Sequence, residues 1–318
     1  MLKFVSFAVK MQLNVHDLNN EAVAGNVTDI RIMEFLDENG KRTEAPAVSG
    51  RMLKHWHLEG MRKLGLEQTL PLCDSCKIGE PVRPAKLIAD GKLTHQDAIN
   101  EGTEKVVQQC TICDIHGYLA AIGETSERRS SRAMFSWLMP VLNIANKDTE
   151  KGVVSKQVIH SRVKSGVDFK EETFKSQMPF NKSYASGIYA FVSALDVERI
   201  GLIENNLTDD EPYAVDEDER KKRIKVAIEA YRFIISGQIG ASLSHALPHN
   251  NPVEILVAYS ESHPLPFLVS PMYSNYIEKS IGLIPQNTTF LYWGVDTPQG
   301  VTKKQSINEI FSELLQKV

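Results

Sequence analysis

The sequence of 318 residues lacks the features that assign a chain to several common functional classes. No apolar run of signal-peptide type opens it and no stretch is long enough to cross a membrane, so we expect a cytoplasmic protein without a membrane partner. Three catalytic motifs are missing: the Walker phosphate loop, Gly-x-Ser-x-Gly and His-Glu-x-x-His. A hydrophobic content of 42% and a charged content of 24% then indicate an ordinary globular chain, long enough for one elaborated domain or two.

An excess of positive charge is also missing, since the formal net charge is −4. This balance argues mildly against nucleic-acid binding unless the charges are segregated along the chain. Residues 204–219 contain eight acidic side chains and no basic one, whereas residues 151–182 contain seven Lys or Arg and three acids. The charges are therefore segregated, and we interpret residues 151–182 as a projecting basic hairpin or loop.

Cysteine is scarce, and its spacing is informative. The four cysteines form two Cys-x-x-Cys pairs separated by 33 residues, Cys73 with Cys76 and Cys110 with Cys113. In a cytosolic chain such pairs are more often metal ligands than disulfides. Two pairs can close one tetrahedral ion, so the spacing predicts a structural zinc site in a cysteine-rich insertion, residues 71–115. Four unrelated thiols or a redox pair are the alternatives, and His95 or His116 could replace one cysteine.

The hydrophobic pattern predicts a mixed α+β fold. Apolar residues follow the patterns typical of strands at residues 1–15, 30–36, 133–142, 187–197 and 253–259. Helical spacing is found at residues 50–65 and 216–236 and after Ser306, where Glu309 completes a capping box, and Asn39-Gly40 indicates a hairpin. This order is similar to a ferredoxin-like (RRM-like) βαββαβ core with large insertions.

The stretch from Pro46 to Gly65 is the clearest candidate for a binding site. Ser49 is a good N-cap, and the first helical turns present Arg51, Lys54 and His55 on the face opposite the apolar stripe. A helix N-terminus offers unpaired amide donors and a partial positive charge, which suit phosphate. The alternative is an amphipathic helix with a solvated basic face.

Residues 49–57, Ser-Gly-Arg-Met-Leu-Lys-His-Trp-His, resemble the strand-to-helix turn of the DevR-type backbone subunit of type I CRISPR interference (Cascade) complexes. These subunits belong to the RAMP superfamily of CRISPR-associated RNA-binding proteins. The resemblance extends from the first strand through Pro248, and three further stretches carry it: 128–132, 177–197 and 236–249. It implies a ferredoxin-like palm of residues 1–70, 116–150 and 183–318, the cysteine-rich insertion 71–115 as a zinc-containing finger region, and a thumb hairpin at 151–182.

The resemblance also implies an RNA-binding surface. The residues expected to contact RNA are Asn26, Ser49, Gly50, Arg51, Lys54, His55, Arg128, Arg129, Ser130, Lys156, Arg162, Lys164, Met178, Gly237, Gln238, Ser242 and His245. Each of these stretches also has an interpretation without RNA. Residues 128–132 would then be a solvated charged face, Met178 would be an apolar residue that re-enters the core, and residues 236–242 would be a helix stop followed by a turn. The sequence departs from the family pattern at 244–249, where histidines stand in place of basic residues. The implied partners are crRNA, target DNA paired with that guide, other Cascade subunits, and further copies of the chain in a homo-oligomeric filament.

Two other functions are weighed against this binding role, which implies no enzymatic activity. One is a metal-dependent RAMP-type endoribonuclease that cuts target or precursor RNA. The polar groups worth testing for it are His16 with Asp17, His55 with His57, and Asp29, which lies where RNA-cleaving type III relatives place a catalytic aspartate. The other is an unrelated zinc-stabilised single-strand binder, but the aromatic RRM motif is missing.

Overall fold

The computed structural model describes residues 1–18, 20–24, 27–79, 102–122, 125–142, 152–160, 180–204, 212–240 and 243–318. The fold is α+β with a central mixed sheet. The helices of this part are α1 (Gly50–Glu67), α2 (Asp74–Lys77), α3 (Gly102–Gln109), α4 (Thr111–His116), α5 (Glu217–Glu229), α6 (Tyr231–Ile235), α7 (Tyr276–Leu283) and α8 (Ile307–Gln316). The strands are β1 (Phe4–His16), β2 (Asn20–Ala24), β3 (Val27–Ile30), β4 (Ile32–Leu36), β5 (Arg42–Pro46), β6 (Tyr118–Ile122), β7 (Thr125–Arg129), β8 (Ala133–Phe135), β9 (Met139–Pro140), β10 (Val153–His160), β11 (Phe180–Asp196), β12 (His249–Ser260), β13 (Thr289–Trp293) and β14 (Thr302–Lys303).

The central sheet is built around β1 and β11. Its order is β14-β13-β12-β1-β11-β3-β2, and β8, β9 and β10 also pair with β11. β1 is antiparallel to both β11 and β12, whereas β3 is parallel to β11 and β14 is parallel to β13. The period-two pattern predicts that β1 is buried on one face, but Phe4 to Val9 are buried on both faces because layers cover the sheet on each side.

The two faces of the sheet are covered by different parts of the chain. Phe7 belongs to the core cluster that includes α1, α5, α6 and α8, and its ring stacks on Tyr231 at 4.3 Å between centroids. Phe4 and Ala8 point to the other face, because successive strand residues alternate. There they pack against the segment 265–284, which contains α7. This second face holds a cavity considered below.

Several elements agree with the sequence and several differ in extent. The Asn39-Gly40 hairpin is confirmed, since β4 and β5 pair from Leu36–Arg42 outward and Gly40 has φ +75°. Helix α1 continues past Gly65 to Glu67. The helix expected at 216–236 is two helices divided at Ala230, and its apolar stripe is buried as expected. The strand expected at 133–142 is interrupted, because Ser136 Oγ accepts a hydrogen bond from Val192 N (2.8 Å) where a ladder bond would continue.

The two ends of the basic segment, residues 151–182, belong to neighbouring antiparallel strands. β10 pairs with the first half of β11, from Val153–Gly187 to His160–Phe180. β11 itself is a single strand of 17 residues that continues into the centre of the sheet. The boundaries of the palm, the insertion and the thumb stay predictions. Among the described residues, no helix is long and apolar enough to span a membrane.

Candidate nucleic-acid interface and metal centre

The four cysteines converge in the fold although 33 residues separate the pairs. All are buried, none forms a disulfide, and their sulfur atoms lie within 4.8 Å of one another. The Sγ atom of Cys113 is 3.9 Å from that of Cys73 and 3.8 Å from that of Cys76. A tetrahedral zinc ion with bonds of about 2.3 Å places its sulfur ligands about 3.8 Å apart. The cluster therefore has the donor set and the spacing to hold one metal ion.

Local structure and electrostatics suit the cysteines to this role. Cys73 and Cys110 are the N-cap residues of α2 and α4, and Cys113 N donates to Cys110 Sγ (3.4 Å). Burial raises the pKa of the Cys110 thiol, but hydrogen bonds from Cys113 and the two other cysteines outweigh it and hold this pKa well below its ordinary value. Thiolate is the form that binds metal. The alternative ligand His116 is directed elsewhere, since its Nε2 atom lies 2.9 Å from Nδ1 of His57, and His95 lies outside the described residues.

A buried ion network joins the cysteine cluster to the rest of the fold through Asp114. Its carboxylate pairs with Arg129 and with Arg223 of α5 (3.0 Å), and it also accepts from the amide of Gly201 (3.0 Å). The side chains of Asp114, Arg129 and Arg223 have no solvent exposure. Arg129 donates further bonds to the carbonyls of Asp114 (3.0 Å) and Leu202 (2.9 Å). The expectation that Arg129 offers an unpaired charge to RNA is thus wrong, because this side chain points inward.

A groove of about 670 Å³ lies at the N-terminus of α1, where the sequence predicts a phosphate site. Its lining residues are Arg31, Ser49, Gly50, Arg51, Lys54, Ser131, Ala133, Met134, Phe135 and Trp137. Ser49 caps the helix by accepting from Met52 N (3.3 Å). A Cβ atom on Gly50 would lie 2.6 Å from the carbonyl oxygen of Phe135, so only glycine allows the helix this close to β8. Arg51 is exposed and Lys54 is half-buried.

Sequence reasoning missed six of the ten residues that line this groove, among them one cation and one indole ring. The guanidinium of Arg31 lies 5.8 Å from the ring centroid of Trp137, so a cation and an indole flank the helix N-terminus. Arg31 separates β3 from β4, and Trp137 separates β8 from β9. A basic residue paired with an aromatic one is a general sign of single-strand binding, but 106 positions separate these two and no spacing rule links them.

Other predicted RNA-binding residues lie outside this groove. Arg128 and Ser130 are exposed on either side of the buried Arg129. His55 is also exposed and contacts the Trp56 ring edge-on at 5.5 Å. Lys156 is exposed on β10. The predicted residues Asn26, Arg162, Lys164, Met178 and Ser242 lie outside the described residues.

The predicted RNA contacts Gly237 and Gln238 lie at a separate end of the sheet. Gly237 has φ +81°, and a Cβ atom there would lie 2.5 Å from Cβ of Asn250. Asn250, beside Gly237, pairs with Leu13 of β1. The groove lies next to β8, whose Phe135 pairs with Ser193 of β11, and Ser193 in turn pairs with Phe7 of β1. Six residues of strand separate the two sites, about 20 Å. Gln238 is half-buried, and His245 is exposed and contacts Ser244 Oγ at 2.9 Å.

The polar pairs weighed as catalytic candidates are mostly buried structural groups. His16 lies 3.0 Å from Tyr189 Oη, Asp17 pairs with Lys182, and His57 is 2.8 Å from the carbonyl of Ala227. Burial lowers the pKa values of His16 and His57 to about 3, so both are neutral at physiological pH. Asp29 is exposed and accepts a hydrogen bond from Ser183 Oγ (2.7 Å).

The sequence matches the model of a known protein family over most of its length. A family model described as "CRISPR-associated negative auto-regulator DevR/Csa2" matches residues 7–281. The chain belongs to the DevR/Csa2 family. The resemblance carried by residues 49–57 is confirmed by this match.

Relatives within and around the DevR/Csa2 family match the whole chain. A protein of Thermoproteus tenax called "CRISPR-associated protein Cas7/Cst2/DevR" is 31% identical, over 99% of this chain and 95% of its own length. A protein of the same description from Methanocaldococcus jannaschii is 27% identical, over 99% and 100%. "CRISPR-associated aCascade subunit Cas7/Csa2 2" of Saccharolobus solfataricus is 23% identical, over 98% and 99%.

Solved structures support the fold of this DevR/Csa2 chain. A chain of a "CRISPR RNA-guided surveillance complex, pre-nicking" has a TM-score of 0.56 at 12% identity, with 98% of this chain and 99% of that chain covered. A chain of a "CRISPR RNA-guided surveillance complex" has a TM-score of 0.54 at 13% identity, with 98% of both chains covered. The part of the chain that the structure describes thus shares the fold of these chains.

Proposed function

We propose that this protein is the crRNA-binding backbone subunit of a type I Cascade. Several copies would stack along the guide RNA, hold it by its backbone and leave its bases free to pair with target DNA. The observation that carries this proposal is the groove at the N-terminus of α1 in a chain of the DevR/Csa2 family. One relative, which is described as an aCascade subunit, supports it. A subunit of this kind works beside its guide in the cytoplasm.

The groove offers a physical basis for holding a nucleic-acid backbone. The first amides of α1 and the helix dipole favour an anion, and Arg51 and Lys54 add two cations within the first turns. Trp137 supplies an aromatic surface for a base or a ribose. Such contacts depend on the charge and shape of the RNA backbone and not on the bases, so the groove would bind guides of any sequence. We therefore keep Ser49, Gly50, Arg51 and Lys54 as the RNA-binding core and add Arg31 and Trp137 to it.

The remaining predicted contacts lie outside the groove and are proposed as secondary RNA contacts. Arg128 and Ser130 are exposed near the groove strand β8, and Gly237, Gln238 and His245 would form a second contact along the guide. Arg129 is excluded because its charge is satisfied inside the protein.

The palm is proposed to be ferredoxin-like. The antiparallel order β12-β1-β11-β8 supports this assignment, because it is the 4-1-3-2 order of a βαββαβ unit whose crossover helices are α1 and α5 with α6. Both crossovers pack on the same face of the sheet, as that arrangement requires.

The metal is proposed to be zinc, bound by Cys73, Cys76, Cys110 and Cys113. A four-thiolate site is coordinatively closed, so zinc would act here as a structural crosslink between α2 and α4. The resulting rigidity would be transmitted to the palm through Asp114, which follows Cys113 directly and binds two arginines of other elements.

The function is tested by the RNA that the protein carries. Protein isolated from its own host should contain short RNAs that include CRISPR repeat sequence. Isolation without RNA, or with RNA of unrelated composition, would contradict the proposal.

We also propose that the subunit holds RNA without cutting it. Asp29 accepts a hydrogen bond from Ser183, and it is the one carboxylate on β3. A single carboxylate on this strand gives little support for a catalytic metal site there. With magnesium or manganese, guide and target RNA should remain intact. Cutting at regular intervals that Asp29→Ala abolishes would favour the nuclease instead.

A further inference from the structure

A cavity of about 880 Å³ lies on the face of the sheet opposite α1. Its floor is formed by Lys10 of β1 and Glu254 of β12, which form an ion pair. Helix α7 forms one wall, and the loop after β13, residues 296–300, forms the other. A volume of this size lies within the usual range for small-molecule sites, about 300–1,000 Å³. The cavity is separate from the proposed RNA groove, since the two share no lining residue.

The cavity is acidic, and two of its carboxylates are not compensated by a neighbouring cation. The lining contains three carboxylates (Glu254, Glu278 and Asp296) and one lysine, so its formal charge is −2. Glu254 pairs with Lys10, whereas Glu278 and Asp296 form no ion pair within the described part of the chain. Both of these carboxylates are exposed, one on α7 and one on the facing loop. They are therefore accessible to a cation that enters from solvent.

A buried hydroxyl group in the cavity lacks a hydrogen bond. Tyr276 is 4% exposed, and its Oη atom has no hydrogen-bond partner among the described residues. The carboxylate of Glu254 is already engaged, because it accepts from Tyr292 Oη (3.0 Å) and pairs with Lys10. Burial, and after it the nearby carboxylates of Glu254 and Asp296, raise the pKa of Tyr276 well above its ordinary value. The hydroxyl is thus neutral, lies in a negative potential and can accept a hydrogen bond from a cationic ligand.

Apolar surface lines the same cavity. Ile277 and Ile281 are about one helical turn apart on α7, and Pro298 belongs to the facing loop. Glu278 is three residues from Ile281 and is therefore its neighbour on the helix surface. The loop packs closely on α7, because a Cβ atom on Gly300 would lie 3.2 Å from Ile281 Cδ1. The cavity thus combines carboxylates with a surface on which methylene groups can pack.

We propose that this cavity binds an aliphatic polyamine. One ammonium group donates to Tyr276 Oη and Asp296, a second binds Glu278, and the methylene chain packs on Ile281. An ammonium group donates three hydrogen bonds and accepts none, which matches a lining of carboxylates and an unpartnered hydroxyl oxygen. Two ammonium groups also neutralise the formal charge of −2. The site goes beyond the proposed function and does not depend on RNA binding.

A divalent metal ion fits this cavity less well. Magnesium and calcium need several oxygen ligands within about 2.6 Å of one point. Among the described residues, only the four cysteines bring three or more metal-binding side chains close enough to share an ion. A polyamine carries its charges along a chain, so carboxylates on separate elements can each bind one. A single ammonium group would leave Glu278 or Asp296 without a cation.

Calorimetric titration with polyamines tests the site. Full-length protein, treated with ribonuclease because RNA itself binds polyamines, is titrated with putrescine, cadaverine and spermidine, which differ in length. At least one of them should bind with one-to-one stoichiometry, and magnesium at equal ionic strength should not displace it. Butylamine carries one ammonium group and should bind about tenfold more weakly, since one hydrogen bond between charged groups is missing. Absence of saturable binding by all three polyamines would overturn the proposal. Equal affinity for butylamine would also overturn it and would indicate a site for a single ammonium group, such as a lysine of another protein.

Variants of the two exposed carboxylates locate the binding site. Glu278→Gln and Asp296→Asn should each weaken polyamine binding about tenfold, because each removes one charged acceptor. Glu217→Gln and Asp218→Asn make the same chemical changes at exposed positions of α5 and should leave the affinity unchanged. Unchanged affinity in both cavity variants would place the polyamine elsewhere and overturn the proposal.

Tyr276→Phe provides a test that does not alter charge. Because Oη has no partner in the free protein, its removal should not lower the melting temperature of the free protein. The affinity for the polyamine should fall, and the rise in melting temperature on polyamine addition should become smaller. A lower melting temperature of the free variant with unchanged polyamine affinity would show that the hydroxyl is a structural group and would overturn its assignment as a ligand contact.

Discussion

Arg129 and Asp114 form an ion pair in which neither side chain has any solvent exposure. Arg129 sits in the run Arg-Arg-Ser-Ser-Arg, next to the exposed Arg128, so adjacent arginines have opposite environments. Strand alternation on β7 explains the difference, because it turns one arginine outward and the next inward. The inward arginine anchors α4, the helix that contains Cys113 and is capped by Cys110.

Removal of Arg129 should therefore affect stability more than RNA binding. Arg129→Ala leaves the buried Asp114 carboxylate with Arg223 as its remaining ion-pair partner and removes a hydrogen bond between charged groups, which is worth about 1.5–3 kcal/mol. We expect a fall of this order in the free energy of unfolding, measured by urea denaturation. Arg128→Ala is the matched control and should unfold normally. Equal stability of the two variants, with RNA affinity lost only in Arg129→Ala, would contradict the inward orientation.

The RNA groove predicts a uniform electrostatic effect. Arg51→Ala or Lys54→Ala should weaken binding of guides of every sequence about equally, because these residues would contact phosphate. Each change should reduce the log–log salt slope by about 0.7, the value for one phosphate on a single strand. Lys222→Ala removes an exposed cation from α5 and should change neither quantity. A sequence-dependent loss, or an unchanged slope, would show that the guide lies elsewhere.

The thiolate cluster predicts about one zinc ion per chain. Cys73→Ser with Cys76→Ser should abolish most of this content, measured by elemental analysis. Ser75→Ala, a change at a buried residue between the two ligands, should retain the metal. Because the cysteines belong to the same core cluster as α1 and α5, metal loss should also lower the melting temperature of the whole chain. Full metal content in the double variant would rule out the shared site.

Acid should destabilise the fold through His16. Its pKa is lowered by burial to about 3, so between that value and about 6.5 the unfolded chain binds a proton that the folded chain does not. The contribution of this neutral histidine is complete above about pH 6.5 and declines by about 1.4 kcal/mol per pH unit as the pH falls through this window. His16→Gln should reduce the pH slope of the unfolding free energy by that amount. An unchanged slope in His16→Gln would contradict this prediction.

The sequence was a good guide where a local rule was enough. Helix α1 could be predicted because Ser49 caps it and its apolar residues recur at helical spacing, and β1 could be predicted from alternation alone. The pairing of the cysteines followed from their spacing, since two short motifs can close one site wherever the intervening chain goes.

The rest depends on contacts between distant residues. Nothing in the run 128–132 indicates that Arg129 pairs with Asp114, because the pairing arises only where the end of β7 lies against α4 in the fold. Arg31 and Trp137 meet only because Val48 bridges to Leu138 and draws the two connections together beside α1. Which arginines and lysines line the groove is therefore determined by their positions in the folded chain and not by residue type.

The continuity of β11 has a mechanical consequence. Any pull on the β10–β11 hairpin along its axis is carried by the same strand into the centre of the molecule, where β11 pairs with β1 from Leu13–Gly187 to Phe4–Asp196. A load parallel to the strands stresses these hydrogen bonds in shear, so they share the force and resist it together. The hairpin's own ladder, opened from its end, would separate one pair at a time. Tension along an assembled array should thus be borne by the central sheet, while the hairpin yields first to a sideways pull.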